Sequence, residues 1–380
     1  MSTTRAWGIS LLSAILSTGM FVSEAPGQWK GYGPGPRDQH TAVFDAATDQ
    51  MIVFGGTDLG TTLYHDVWLA VNVITSACAP CELQWTFLSP SGTPPMARSG
   101  HSAVYDSVNS RMTVFGGALG FPTPCANDVW VLDHANGTGG ASSWTQLSPS
   151  GAQPTPRRGH AAAYDPDTNR MIIFGGSDCN GGYLADAWVL TNANGLGGTP
   201  VWTKLSPSGG PPPGRAYQAA AYNSSTNSLV VYGGTNGTEL SDVWVLSGAN
   251  GSTRDSAWNE LSPQGTAPAA RYGQASTYDA TNDIMIVYGG FTDQGIVGDA
   301  WTLSNAGGGG GEPTWAMLVP TGHAGPQYYL QTAIYDPGSN ELVSFGGIPA
   351  NASTPTTADD FTFVLTQANG LQPRSLPAAP

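Results

Sequence analysis

Five arginines recur in one context, Arg37, Arg98, Arg157, Arg215 and Arg271, at spacings of 61, 59, 58 and 56 residues, each three positions before a His or Gln. A ring of planar guanidinium groups suits bidentate capture of a carboxylate or sulfate, so one chemistry is an anion-binding collar. Asp66, Asp128, Asp186, Asp242 and Asp299 recur with the same period and can neutralise each arginine by a bidentate pair, which makes the second chemistry structural. The sixth copy discriminates between the two. Tyr328 stands where the sixth Arg is due, and the Asp-x-Trp that follows in the other copies is disturbed at Asp359-Asp360-Phe361, so Arg and Asp are lost together as pairing requires.

His40, His101 and His160 lie three positions after those arginines in three successive copies, with Gln218, Gln274 and Gln331 at the same place in the other three. Three imidazoles around an axis can hold a metal. Free interchange with Gln instead suits a side chain that bonds a neighbouring backbone group, and no metal is assigned. Four cysteines fit an oxidising compartment: Cys78-Cys81 as a local bridge within one loop, and Cys125-Cys179 as a cross-link between equivalent loops of adjacent copies. A zinc site at Cys78 and Cys81 lacks a second nearby pair. No nucleophile-base-acid spacing, phosphate loop or cofactor motif stands out, and no catalytic residue and no cofactor are assigned.

These residues are carried by a repeat. Gly-Gly occurs at 55, 116, 175, 233, 289 and 346, preceded by an apolar run such as Met51-Ile-Val-Phe54 and followed by a loop, Asp-x-Trp and Trp-x-x-Leu. Four short strand signals per period of about 60 residues read as one propeller blade. With 51 glycines, 29 prolines and 11% charged residues, the class is all-β. Trp68, Trp130, Trp188, Trp244 and Trp301 fall on the third strand, c. Trp29, Trp85, Trp144, Trp202, Trp258 and Trp315 fall on the fourth, d, where residues demanded in every blade read as inter-blade packing. The a–b turns, rich in Asp, Asn and Thr, read as tight hairpins. The Ala-Asn-Gly c–d loops read as floppy, and the proline-rich d–a segments as connectors that pass between blades without pairing. Because Trp29-Lys-Gly-Tyr32 precedes the first strand a and no fourth strand follows the last strand c, the expected fold is a six-bladed propeller whose last blade is closed by the N-terminal strand.

Gly-Gly after strand b, an aromatic on strand c, a Trp opening strand d and Pro-x-x-Arg leading into strand a resemble the kelch repeat, across nearly all of the chain. The resemblance implies a propeller with one face formed by b–c and d–a loops. On that face Tyr64, Phe121, Tyr183, Phe291 and Tyr328 depart from the repeat and, with the five arginines, form the candidate ligand-binding set. Secreted kelch-like propellers include sugar oxidases and sialic acid mutarotases. A copper oxidase of that type needs a Cys-Tyr thioether and two His ligands, neither of which is evident, whereas a mutarotase needs only an acid and a base at the channel mouth, such as Glu239 or Asp293 with the Arg collar.

Residues 1–25, with Arg5 followed by an uncharged run from Ala6 to Ser23, read as a secretory signal. The expected organisation is that signal, a propeller over 28–368 and a short tail over 369–380, placing the chain outside the cytoplasm with no membrane span after cleavage. Net charge is −14 and stays so after loss of Arg5 and Glu24, which disfavours nucleic acid. Asn-x-Ser/Thr triplets at Asn136, Asn223, Asn236, Asn250 and Asn351 mark potential glycosylation. The reading is a secreted, non-catalytic module that binds a protein or polysaccharide. The alternatives are a carbohydrate-active enzyme and a component of a surface assembly.

Overall fold

A computed structural model describes residues 33–74, 83–120, 125–253, 255–308, 310–320, 325–350 and 360–371, all within one compact unit, Gly33–Pro380. The signal, the Trp29 strand, Cys78-Cys81, Phe121, Asn351 and the tail beyond 371 lie outside the described residues.

The described chain is all β and folds as a six-bladed propeller. Blade 1 consists of antiparallel strands a (Thr41–Asp45), b (Gln50–Phe54), c (Val67–Val71) and d (Gln84–Leu88), and blades 2 to 5 repeat that order. Blade 6 shows a (Thr332–Asp336), b (Glu341–Phe345) and c (Thr362–Thr366). The a strands line a central channel, each beside the next, with blade 6 beside blade 1. No helix among the described residues is long and apolar enough to cross a membrane.

The b strands are covered on both faces, which is why they read as continuous apolar runs, Met51 to Phe54 being fully buried. Each strand-d Trp packs on the strand-b aromatic of the preceding blade: Trp144 on Phe54, Trp202 on Phe115, Trp258 on Phe174, Trp315 on Tyr232 and, across the closure, Trp85 on Phe345, with centroids 4.8–5.1 Å apart. These tilted contacts are worth about 0.5–1.5 kcal/mol each beyond area burial.

Two connecting segments differ from expectation. The d–a segments do pair: Ser91, Ser150, Ser208 and Gln264 bond in parallel to the d strand of the next blade, for example Trp258 N–H to Ser208 O at 2.9 Å. The glycine after Ser208 makes this approach feasible, since Gly209 has φ +84° and a Cβ there would lie 2.2 Å from Trp258 O. The c–d loops are pinned. Asn136, Asn194 and Asn250 are buried and donate from Nδ2 to Oδ2 of Asp45, Asp106 and Asp165 on the preceding blade, at 2.6–2.7 Å. Where strand a of blade 4 ends in Asn223, blade 5 carries Gly307 at the loop position, and Asn223 donates to the Tyr278 hydroxyl at 2.6 Å instead. Asn136, Asn223 and Asn250 are therefore structural amides inside the fold, whereas Asn236 is exposed.

Candidate functional site

The arginines enter strand a from the b–c and d–a face, and their guanidiniums are buried. Each makes the same four bonds. In blade 1, Arg37 donates to Gly35 O (3.1 Å), Gly55 O (3.0 Å) and both oxygens of Asp66 (2.9 and 3.0 Å). Arg98, Arg157, Arg215 and Arg271 repeat the pattern on Asp128, Asp186, Asp242 and Asp299. The strand-c Trp completes the unit, its Nε1–H donating to the same aspartate at 2.6–2.7 Å. Burial alone would raise these carboxyls, but the guanidinium and indole bonds outweigh it and hold all five below the usual range. The collar is thus a set of braces between strands a and c. In blade 6 the register places Phe361 and Phe363 opposite the Asp and Trp positions, two residues after the expected Asp359, and Tyr328 stacks on Phe363 at 5.3 Å. An aromatic trio replaces the charged one.

Below this layer, His and Gln line the channel. Gln218, Gln274 and Gln331 donate from Nε2 to the carbonyls of Phe174, Tyr232 and Tyr288 on the preceding blade. His40, His101 and His160 instead stand edge-on to the rings of Phe345, Phe54 and Phe115, 5.1–5.2 Å away, with Nδ1 buried and outside hydrogen-bond range of any acceptor. Their Nε2 atoms meet hydroxyls of the preceding blade, Thr332 and Thr41, at 2.8 and 3.0 Å, as His160 meets Ser102 at 2.8 Å. Burial, reinforced by nearby arginines, lowers all three imidazoles, His101 to about 3. Among the described residues no three His, Cys, Asp or Glu converge as metal ligands.

The channel narrows at the b–c face. Gln39, Gly100, Gly159, Tyr217, Gly273 and Leu330, all with φ between 52° and 64°, form a closed circle in which each N–H donates to the previous member's carbonyl at 2.7–3.0 Å. Tyr217 reaches from blade 4 to blade 1, its hydroxyl donating to Gln39 Oε1 at 3.0 Å. A polar cavity of about 260 Å³ remains below, walled by the His and Gln layer and by small strand-a residues.

The residues that do not repeat lie around this circle. The position after each repeat arginine reads Asp38, Ser99, Arg158, Ala216, Tyr272 and, after Tyr328, Tyr329, each bridged to the residue after a Gly-Gly. On blades 4 to 6 the aromatics touch: Tyr217–Tyr272 at 6.5 Å, Tyr272–Phe291 at 5.4 Å, Tyr272–Tyr329 at 6.3 Å and Phe291–Tyr329 at 5.6 Å. Asp38 is buried, bonded by Gln39 and by Leu59 N–H, and burial lifts its carboxyl to about 6. Of the expected residues, Phe291 joins this cluster and Tyr183 stands exposed near it. Tyr64 lies under the Arg37 guanidinium at 4.5 Å, and Tyr328 is buried. Glu239 sits near Tyr272 and Asp293 is exposed, and the arginines that a mutarotase would need beside them are already paired. Asp38, Arg158, Tyr217 and Tyr272 are new to the set. The signal for them was their variation immediately beside an invariant neighbour.

Cys125 and Cys179 form a disulfide, Cα atoms 5.7 Å apart, joining the b–c segments of blades 2 and 3.

Residues 70–252 match the family model described as the KLHDC2/KLHL20/DRC7 Kelch-repeats domain. Host cell factor 1 of Rattus norvegicus and of Homo sapiens are each 28% identical over 280 residues, 69% of this chain. The chain spans only 12% of the length of these relatives. Among solved structures, "Structure of YjhT" superposes with a TM-score of 0.61 at 15% identity, covering 88% of this chain and 96% of that one, a likeness of fold. With five Arg-Asp-Trp braces, six Gly-Gly turns and residues 70–252 matching the family model, the chain carries kelch repeats in one ring.

Proposed function

We propose that this propeller is a secreted, non-catalytic interaction module that meets a protein partner with its b–c and d–a face. The carrying observation is the mouth. Every side chain that repeats is used in bracing or packing, while the positions ringing the mouth differ from blade to blade and gather four aromatic rings on blades 4 to 6. Large rings held on a rigid scaffold supply contact area at low entropic cost. The Cys125–Cys179 bridge and the charged-then-apolar start of the chain support export to an oxidising compartment. The test is cross-linking of the full chain to proteins of its own secreted fraction, with Tyr272→Ala, Tyr329→Ala and, on the opposite face, Val108→Asp. Contacts mapped to the mouth, lost in both Tyr variants and kept in V108D, are expected. Turnover of free sugars or aldehydes that depends on Tyr272 would sink the non-catalytic reading.

A further inference from the structure

We infer that the ring cluster on blades 5 and 6 seats a cationic side chain of the protein partner, a lysine or arginine laid over Tyr272, Phe291 and Tyr329 with its charged head at the Glu239 carboxylate. This rests on the reading of the b–c face as the interaction surface.

The backbone brings Glu239 to the rings. In the b–c loop of blade 4, Thr235 is bridged to Glu239, and the carbonyl of the next residue, Leu240, accepts from Arg271 N–H at 3.0 Å. Tyr272 follows Arg271 and exchanges backbone bonds with Phe291, at 3.1 and 2.8 Å. Glu239 and Tyr272 therefore flank one hydrogen bond, and Tyr329 completes the cluster, its centroid 6.3 Å from that of Tyr272 and 5.6 Å from that of Phe291. Glu239 and the three rings are half-buried, so each keeps some surface open to a partner. Among the described residues no basic side chain lies in ion-pair range of Glu239, because the repeat arginines are held by their own aspartates.

The charges that act on these rings are negative. Burial raises the Tyr272 hydroxyl and the Glu239 charge raises it further; burial also raises Tyr329, with Tyr272 and the Asp38 charge adding to it. Arg158 acts instead on Tyr217, and as a blade 3 residue it stands across the six-membered ring from Tyr329 on blade 6. An aromatic face attracts a cation held within about 6 Å of its centroid. Within this fold Arg37 is held in that way over Tyr64, at 4.5 Å. An anionic segment is repelled by Glu239, by Asp38 and by a net charge of −14. A wholly apolar segment would cover Glu239 and leave its carboxylate without a partner. A lysine or arginine answers both, its stem packing on the rings while its head meets the carboxylate.

The test selects heptapeptides from a display library on the full chain. The strongest binder is then synthesised as selected and with its Lys or Arg changed to Gln. Affinities for wild type, Glu239→Gln, Tyr272→Leu and, exposed in the a–b turn of blade 3 on the opposite face, Asp167→Asn are read by fluorescence anisotropy. Neutralising the basic residue is expected to weaken wild-type binding by about tenfold or more, the loss of one cation–π contact and one charge pair. The same change should shift binding to E239Q by less than about threefold, since half of what the cation meets is already gone. D167N removes an equal charge from the other face and should leave the affinity within about twofold of wild type. Selected peptides that need no basic residue, no selected peptide at all, or equal losses in E239Q and D167N would overturn the inference, the last by reducing the attraction to net charge. Peptides that need no basic residue but lose their binding in Tyr272→Leu would leave the face standing and remove its cationic partner. If instead Tyr272→Leu leaves every selected peptide bound, the failure lies in the reading of the face itself.

Discussion

Replacing His101 by glutamine, the residue that blades 4 to 6 carry at that position, changes how stability depends on pH. In the folded chain His101 stays neutral down to about pH 3, because burial and the Arg98 charge disfavour the imidazolium, against an ordinary value of 6.5. Below pH 6.5 the unfolded chain takes up a proton here that the folded chain refuses, so the stabilising contribution is complete above 6.5 and is lost as pH falls toward 3. At pH 4.5, two units below 6.5, the loss is about 2.7 kcal/mol at about 1.36 kcal/mol per unit. His101→Gln removes that loss, and Thr41→Ala with it recreates the Ala–Gln pairing of blades 4 to 6 and spares the Thr41 hydroxyl an orphaned state. Asp38, lifted by burial, works in the opposite direction between about pH 4 and 6, so the quantity to compare is the difference between variant and wild type, from which it cancels. Urea unfolding at pH 7.0 and 4.5 should show that difference moving by about 2.7 kcal/mol in favour of the variant. A change under about 0.5 kcal/mol, within the scatter of such extrapolations, would refute the buried neutral imidazole.

Arg215→Ala removes a buried guanidinium and strands Asp242, and should destabilise by about 3–5 kcal/mol in denaturant unfolding; a cost under about 1 kcal/mol would mean the brace is not formed. Gly209→Ala forces a side chain into left-handed backbone against Trp258 O and should cost about 1–3 kcal/mol, read as a lowered thermal midpoint, whereas an unchanged midpoint would deny the parallel pairing. Cys179→Ser opens a cross-link spanning 54 residues, with a loss of up to about 4 kcal/mol on the chain-entropy view; equal unfolding of variant and wild type without reductant would contradict the bridge.

The architecture was legible because it repeats: one blade's Gly-Gly, Trp and apolar runs are ambiguous, and six copies are not. The choice between His and Gln was legible too, in a form that only the structure made meaningful. Thr332, Thr41 and Ser102 precede the blades with His40, His101 and His160, while Ala161, Ala219 and Ala275 precede those with Gln218, Gln274 and Gln331. Each imidazole Nε2 meets that hydroxyl, whereas each Gln Nε2 reaches past the alanine to a backbone carbonyl of the preceding blade. What sequence could not supply was pairing between blades. The pinned Asn136 and Asn250 loops and the parallel d–a bonds depend on partners 48 to 91 residues away, which local turn chemistry does not encode. The mouth set was half visible, since Phe291 and Tyr183 broke the pattern openly, whereas Arg158 hid beside the invariant Arg157.

The circle of six peptide groups at the mouth has no first and no last member. In an open stack of repeats, unravelling starts at an end, where a unit has one neighbour and peels away alone. Here every blade is held on both sides at its innermost point, so releasing any one of them severs two bonds of the circle at once. The six blades should accordingly resist or yield as a single body, and a partner seated on the mouth would steady all of them by touching a few.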